Sequence, residues 1–318
     1  MDMKMLSFVI PCYNSAKTIL TVVNEVRQTM EGRKEFTFEI ILVNDNSTDE
    51  TFSVIKQAAL KDGRLTAIDL AKNFGQHSAL MAGYSQATGD YIVSLDDDGQ
   101  TPANEVFRLI DKLENGFDVV FASYPQKKHS FFRNLGSRIN DMMAHHLIGK
   151  PKGLYLSSYF VARRFVIEEL KRYTNAYPYV SGLLLRSTNR LANVSVNHRD
   201  REIGTSGYTL KKLLALWMNG FTAFSVKPLR IASLLGVIFA GIGFLYGIWI
   251  IISKLFIRTA PIGYSSLMAV LLFIGGTLML ILGMLGEYVG RMYISINRAP
   301  QYVIRELCHE PREDQRDI

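Results

Sequence analysis

The sequence predicts an α/β fold in which a mostly parallel sheet carries helices on both faces, followed by interfacial helices and two C-terminal transmembrane helices. Three observations predict it. Strand-like and helix-like periodicities alternate through the first hundred residues; every strand-like run there ends in polar residues; and two stretches, 231–253 and 265–286, contain no Asp, Glu, Lys, Arg or His.

Leu6-Ser7-Phe8-Val9-Ile10 has the apolar run of a buried strand and stops at Pro11-Cys12-Tyr13-Asn14. From about 16 to 30, Ile19, Val22, Val23 and Val26 recur at helical spacing. A second strand, 39–43, runs into Asn44-Asp45-Asn46-Ser47-Thr48-Asp49, a turn whose last residues cap a helix over 50–60. A third strand, 65–70, ends at Lys72-Asn73-Phe74-Gly75-Gln76, and a helix around 79–86 leads to Asp90-Tyr91-Ile92-Val93, the fourth. Parallel strands joined by helices put binding groups at the carboxyl ends of the strands. For Asn46, Thr48 and Asp49 turn chemistry alone accounts for the residue types. Asp45 differs, because it directly follows a buried strand, where an acid can accept hydrogen bonds from a base or ribose.

Composition changes along the 318 residues. Residues 1–228 mix charged and apolar side chains as a soluble domain does, whereas the two charge-free stretches are each long enough to cross a hydrocarbon core of about 30 Å as a helix. The alternative, a pair of buried core helices, requires a partner covering both all round. The net charge of +7 does not point to nucleic acid, since the basic residues are spread and no recognition motif accompanies them. A membrane surface, with its lipid, fits better. Lys211, Lys212, Lys227 and Arg230 precede the first span and Arg291, Arg298 and Arg305 follow the second, while the connecting loop holds only Lys254 and Arg258. The positive-inside rule then places both the N-terminal domain and the tail in the cytoplasm. No signal peptide is expected before the first strand. Cys12 and Cys308 imply neither a disulfide framework nor a metal site. Residues 209–224, with Leu210, Leu213, Leu214 and Trp217 among Lys211 and Lys212, read as an amphipathic interfacial helix, with 131–148 as a companion whose His145 and His146 read as interfacial or packing residues. The predicted organisation is a cytoplasmic domain over 1–208, an interfacial helix over 209–228, two spans within 229–290 and a cytoplasmic tail over 291–318.

The chemistry concentrates in Ser94-Leu95-Asp96-Asp97-Asp98-Gly99-Gln100-Thr101-Pro102. In extended backbone Asp96 and Asp98 share a face while Asp97 turns away. Two carboxylates on one face repel unless a cation lies between them, and hard oxygen ligands suit Mg²⁺ or Mn²⁺ with coordination positions left for substrate phosphates. A solvated acidic loop before a helix starting near Thr101 and Pro102 accounts for the same residues without metal. Both readings stand on these residues alone.

Six segments together resemble glycosyltransferase family 2, with its nucleotide-binding fold called GT-A: Val9-Ile10-Pro11-Cys12-Tyr13-Asn14, Val43 to Asp49, Asn73-Phe74-Gly75-Gln76-His77-Ser78-Ala79, Asp96-Asp97-Asp98-Gly99-Gln100, Arg201 to Tyr208, and Leu285-Gly286-Glu287-Tyr288-Val289-Gly290-Arg291. More narrowly the chain is similar to the polyprenyl-phosphate glycosyltransferases, the group of dolichyl-phosphate mannose synthase and the bacterial undecaprenyl-phosphate glucosyl and aminoarabinose transferases. That resemblance implies an inverting, metal-dependent hexosyl or pentosyl transferase in the bacterial inner membrane, using a UDP-sugar donor and undecaprenyl phosphate as acceptor. Pro11, Tyr13, Asn14, Asp45, Asn73, Gln76 and Asp96 would bind the nucleotide; Asp96 and Asp98 would be the aspartates of the D-x-D motif, with Asp98 the direct ligand of Mg²⁺ or Mn²⁺. This favours the metal reading. Arg133, Arg201, Ser206, Tyr208 and Lys211 would hold the lipid phosphate, a task that suits the planar fork of arginine, and Arg201 joins Asp96 and Asp98 as catalytic. A homo-oligomer, a tetramer in relatives, is implied as well.

The chain departs from that pattern at three places. Ser15 stands where many relatives have an acid, Gly153-Leu154-Tyr155-Leu156-Ser157-Ser158 lacks an aspartate found in many relatives, and the usual Ser-Lys-Tyr is Ser206-Gly207-Tyr208. A missing base is tolerable, since a phosphate monoester with a second pKa of about 6 is already an anionic nucleophile. Two rivals are a processive polysaccharide synthase, whose Gln-x-x-Arg-Trp motif includes neither Trp217 nor Trp249, and a non-catalytic scaffold, which intact Asp96 and Asp98 argue against.

Overall fold

In a computed structural model, residues 3–124, 150–197, 199, 263–297 and 299–309 are described, with isolated helical positions between 234 and 252. The chain divides into two units, Met1–Thr209 with Arg298–Ile318, and Leu210–Asn297.

β1 (Lys4–Cys12) is buried from Leu6 onward on both faces, as a near-continuous apolar run must be when helices cover both sides of a sheet. β2 (Phe36–Asn44) and β4 (Tyr91–Ser94) flank it in parallel, and β3 (Leu65–Leu70) continues in parallel beyond β2. The crossovers are α1 (Ile19–Glu31), α2 (Thr51–Ala59) and α3 (Gln76–Gln86). Leu6, Phe8, Ile10 and Cys12 join one core cluster with Ile19, Val22, Val23 and Val26 of α1 and Ile55 of α2. Val9, on the alternate side, meets α3 at Gly83, where a Cβ would lie 2.3 Å from Val9 Cγ1. Glycine is there so that the helix can lie flat on the sheet.

The domain continues through α4 (Val106–Glu114), entered by a 3₁₀ turn at Ala103–Glu105, then β5 (Val119–Ser123), β6 (Phe160–Arg163), α5 (Arg164–Lys171), α6 (Val180–Ser187) and β7 (Leu191–Ser195). After the long helix α7 (Tyr264–Ile296) comes β8 (Ile304–His309). The sheet order is β7-β5-β6-β4-β1-β2-β3-β8. Four of its seven pairings are parallel; β6 runs antiparallel to β4 and β5, and β8 antiparallel to β3. The sheet is therefore mixed, with β6 and β8 each running against the strands they pair with. The sequence reading gave 304–309 no element. Its alternating exposure, with Ile304, Glu306 and Cys308 turned inward, is that of an edge strand with one covered face.

In the second unit α7 contains Phe273–Ile294, the one helix among the described residues long and apolar enough to cross a membrane. Its Leu278, Met279 and Leu282 are exposed, unlike the side chains of a soluble core helix. The expected span 265–286 falls inside α7, which continues past Glu287 and Arg291. The expected span 231–253 lies outside the described residues apart from isolated helical positions, so a helix of sufficient length and apolarity is described for one of the two expected spans.

Candidate active site

Because β1 to β4 are parallel, Cys12, Asn44, Leu70 and Ser94 all end at one edge, and the loops that follow them meet there. Asp45 is 4% exposed and ties two of these loops together. Its N–H donates to the Cys12 carbonyl (2.9 Å), and its carboxylate accepts the N–H groups of Phe74 (2.7 Å) and Gly75 (2.8 Å). Asn73 Nδ2 donates to its carbonyl oxygen at 3.2 Å. Gly75, at φ +88°, supplies the backbone turn that aims both amides at one carboxylate. Burial pushes the Asp45 carboxyl up, and the two amides pull it back. Each of its oxygens keeps a second lone pair for a ligand.

Asn14 adopts φ 54°, the left-handed conformation that asparagine tolerates. Its N–H donates to Ser47 Oγ (3.0 Å) and its Oδ1 accepts from Thr48 N–H (2.9 Å), so the β1 and β2 loops are laced together. Asp49, assigned to turn chemistry from sequence, does that work by accepting the N–H groups of Thr51 (3.0 Å) and Ala16 (3.2 Å). Pro11 is buried inside β1 opposite Val43, whereas the Tyr13 ring is half exposed.

The acidic motif forms a turn rather than a continuation of β4. Its three carboxylates have different tasks. Asp97 accepts the Tyr13 N–H at 3.0 Å, which holds the β1 loop against the motif. Asp98 Oδ1 accepts the Gln100 N–H at 3.1 Å across Gly99, which sits at φ +69°. Asp96 accepts the Gln76 side-chain amide at 3.0 Å on Oδ1 and the Ser158 hydroxyl on Oδ2. Burial, reinforced by the charges of Asp98 and Asp97 and opposed by Ser158 and Gln76, pushes the Asp96 carboxyl up to about 6. Burial likewise raises Asp97. The site thus concentrates negative charge in a poorly solvated place, an arrangement a divalent cation would relieve. Among the described residues no three His, Cys, Asp or Glu side chains converge as a ready-made metal cage. The donors present are hard carboxylate oxygens, which fit a hard cation completed by phosphate oxygens. Both Asp96 oxygens accept neutral donors, and Asp98 Oδ1 accepts a main-chain amide, so the motif's carboxylates are each held by a hydrogen bond.

Of the sequence-predicted residues, the fold gathers Tyr13, Asn14, Asp45, Asn73, Gln76, Asp96 and Asp98 at this edge, while Pro11 stays within its strand. Arg133, Arg201, Ser206, Tyr208 and Lys211, and the expected interfacial segments 131–148 and 209–224, lie outside the described residues. Sequence reasoning missed three supports. Ser158 stood out only for not being an acid, yet it anchors Asp96. Glu25 of α1 accepts the Ala103 N–H (3.0 Å) and pairs with Arg199 (2.8 Å), whose own N–H donates to the Gln100 carbonyl (2.8 Å). Tyr124 lies beside Thr101, hydroxyl to hydroxyl at 3.1 Å. No local pattern marks such pairs, which lie far apart in sequence.

Comparison with known proteins places the chain in a family. Residues 7–171 match "Glycosyl transferase family 2", and residues 227–292 match "GtrB C-terminal hairpin". The chain is 33% identical over 301 residues to the uncharacterized glycosyltransferase YkcC of Bacillus subtilis, covering 94% of this chain and 93% of that one. It is 33% identical over 321 residues to the undecaprenyl-phosphate 4-deoxy-4-formamido-L-arabinose transferase of Yersinia pestis, covering 99% and 97%. Among solved structures, glucosyl-3-phosphoglycerate synthase of Mycobacterium tuberculosis, crystallised with Mn²⁺, UDP-glucose and phosphoglyceric acid, superposes with a TM-score of 0.51 at 19% identity, covering 68% of this chain and 76% of that one. That likeness shows the GT-A-like fold.

Proposed function

Since the chain belongs to glycosyl transferase family 2, we propose that it transfers a sugar from a UDP-sugar to undecaprenyl phosphate, making a lipid-linked sugar donor for cell-envelope glycans. The observation that carries this reading is the match at 33% identity to a named undecaprenyl-phosphate transferase across 99% of the chain, which includes both the catalytic domain and the C-terminal apolar segment. The site supports it with a carboxylate-rich sheet edge suited to a nucleoside diphosphate and a divalent ion.

In this reading a phosphate oxygen of the lipid attacks the anomeric carbon of the donor, the bond from that carbon to the β-phosphate oxygen breaks, and UDP leaves with the electron pair, inverting the centre. Asp98 and Asp96 would hold Mg²⁺ or Mn²⁺, which would supply charge neutralisation to the departing diphosphate. Gln76 and Ser158 keep the Asp96 carboxylate aimed, and the Asp45-bound 71–75 loop walls the nucleotide pocket with Asn73, while the Tyr13 ring offers a face to the base. Ser158 places a hydroxyl rather than a carboxylate beside Asp96, so the anionic acceptor attacks without a protein base there. Arg133, Arg201, Ser206, Tyr208 and Lys211 hold its phosphate at the membrane surface. The protein acts mainly by positioning and by neutralising charge. Residues 231–253 and α7 anchor it as a two-span protein of the bacterial inner membrane, with the catalytic domain on the cytoplasmic side, as a homo-oligomer.

The test is transfer from a panel of radiolabelled UDP-sugars into organic-extractable lipid by purified protein with undecaprenyl phosphate and Mn²⁺. A chelator-sensitive product from one donor is expected and names the sugar. No product from any donor would defeat the reading.

A further inference from the structure

Beneath the Asp45 loop lies a second polar layer, and the C-terminal strand reaches into it. Asp69, next to last in β3, has a side chain only 5% exposed. A carboxylate so placed persists only where it is paired and hydrogen-bonded. Its Oδ1 accepts from Asn44 Nδ2 at 2.7 Å, and its Oδ2 accepts from Arg305 Nη1, in β8, at 3.2 Å. The other arm of the same guanidinium, Nη2, donates to the Ala71 carbonyl at 2.6 Å. Ala71 N–H in turn donates to the Val303 carbonyl at 2.8 Å. The β3–β8 register shifts between Asp69 and Leu70, at the place where this fork closes.

Both partners of Arg305 lead into the site. Ala71 opens the loop whose Phe74 and Gly75 amides hold the Asp45 carboxylate, and Gln76, immediately after that loop, holds Asp96. Asn44, which shares Asp69 with Arg305, accepts the Ser47 N–H at 3.2 Å and so shapes the turn after Asp45. Hydrogen bonds at each end of the 71–76 main chain thus connect a side chain beyond α7 with Asp45 and the acidic motif.

We propose that Arg305 is a positioning residue for the donor nucleotide: by bridging Asp69 and Ala71 it fixes the 71–76 loop that supports Asp45 and Asp96, so that the C-terminal strand completes the donor pocket without touching the ligand. The inference rests on the UDP-sugar reading above. Main-chain pairing of an edge strand is available to almost any side chain, whereas bridging a carboxylate and a carbonyl from one rigid head is specific to arginine. Lysine in its place keeps the charge but not the fixed planar fork, so it holds the two partners less firmly. Alanine leaves the buried Asp69 charge to Asn44 alone and the Ala71 carbonyl without its side-chain donor.

The experiment compares full-length wild-type protein with Arg305→Ala, Arg305→Lys and a control on the same strand, Glu306→Ala, which removes the Lys56–Glu306 ion pair (2.5 Å) and the Cys308 thiol contact (3.1 Å), side-chain bonds that lie outside the 71–76 loop. Hydrogen exchange of ligand-free protein reads the Phe74 and Gly75 amides; calorimetry with UDP and Mn²⁺ reads donor affinity; transfer kinetics read the acceptor KM. Arg305→Ala should speed exchange at both amides and weaken UDP binding about tenfold, with Arg305→Lys recovering part of the loss. Glu306→Ala should match wild type in both, and the acceptor KM should hold throughout. Wild-type exchange and affinity in Arg305→Ala would overturn the proposal, and so would Glu306→Ala reproducing its effects, which would reduce Arg305 to strand docking. A wild type that bound no UDP would overturn the donor reading on its own, and the exchange data would still decide whether Arg305 fixes the loop.

Discussion

Asparagine at position 96 keeps the shape of the side chain and both of its contacts: the Gln76 amide still has a carbonyl to donate to, and the new NH₂ donates to the Ser158 hydroxyl. Only the charge is lost. In the wild type, burial first and then the Asp98 and Asp97 charges lift Asp96 from 3.8 to about 6, so at neutral pH the folded protein carries a carboxylate its surroundings disfavour. That displacement corresponds to about 3 kcal/mol at 1.36 kcal/mol per pH unit, and the residual solvation of the cleft reduces what neutralisation returns to about 1–2 kcal/mol. The sign follows from proton counts. With the folded pKa above the unfolded one, the folded state binds more protons between about pH 4 and 6, so the contribution of this group is most favourable below that window and is lost as pH rises through it. With divalent ions chelated, Asp96→Asn should therefore raise the unfolding midpoint at pH 7.5 by about 4 °C and flatten the fall in stability between pH 4 and 6, while lipid-linked transfer with Mn²⁺ present collapses. Thermal unfolding across pH measures both effects. A variant no more stable than wild type at pH 7.5, or one with an unchanged pH profile, would refute the reasoning.

Gly83→Ala drives a methyl to 2.3 Å from Val9 Cγ1 and should cost about 1–3 kcal/mol in a denaturant titration as α3 lifts from the sheet. Asp45→Ala strips two amides of their carboxylate and should lose about 2–4 kcal/mol of stability together with UDP binding, read by calorimetry. Asp98→Asn retains an acceptor for the Gln100 N–H, so its circular dichroism should match wild type while Mn²⁺-dependent transfer nearly vanishes. Arg201→Ala should raise the KM for undecaprenyl phosphate more than that for the donor; equal changes in both would remove its acceptor role.

The fold was most legible where burial was two-sided. Phe8, Val9 and Ile10 announce a strand between helices, and β3 falls on the residues its apolar run marks. The ends were less so: α3 starts at Gln76 rather than near Ala79, because its first turn is held by the φ +88° of Gly75 and not by a side-chain cap that a sequence displays. β8 was illegible for a physical reason. An edge strand needs one covered face, and Ile304-Arg305-Glu306-Leu307-Cys308-His309 alternates only weakly in hydropathy, so its state is set by the open edge of β3, a fact of topology and not of local composition.

The same division runs through the site. Asp96 and Asp98 stand out at a strand end against the apolar run before them, but on residues alone a metal site and a solvated loop account for them equally, and Gln76 enters the site reading only through the family resemblance. Their supports are not legible, since a hydrogen bond from Ser158 to Asp96, or from Arg305 to Asp69, joins residues whose proximity exists only after the sheet has formed. Asp97 shows the limit from inside the motif. Extended backbone would turn it away to solvent, yet the chain bends here, and its carboxylate is tied to the Tyr13 amide. The middle carboxylate of the motif therefore fixes the loop that presents Tyr13, while Asp96 ties the motif to Gln76 and Ser158, a division of tasks that only the folded turn creates.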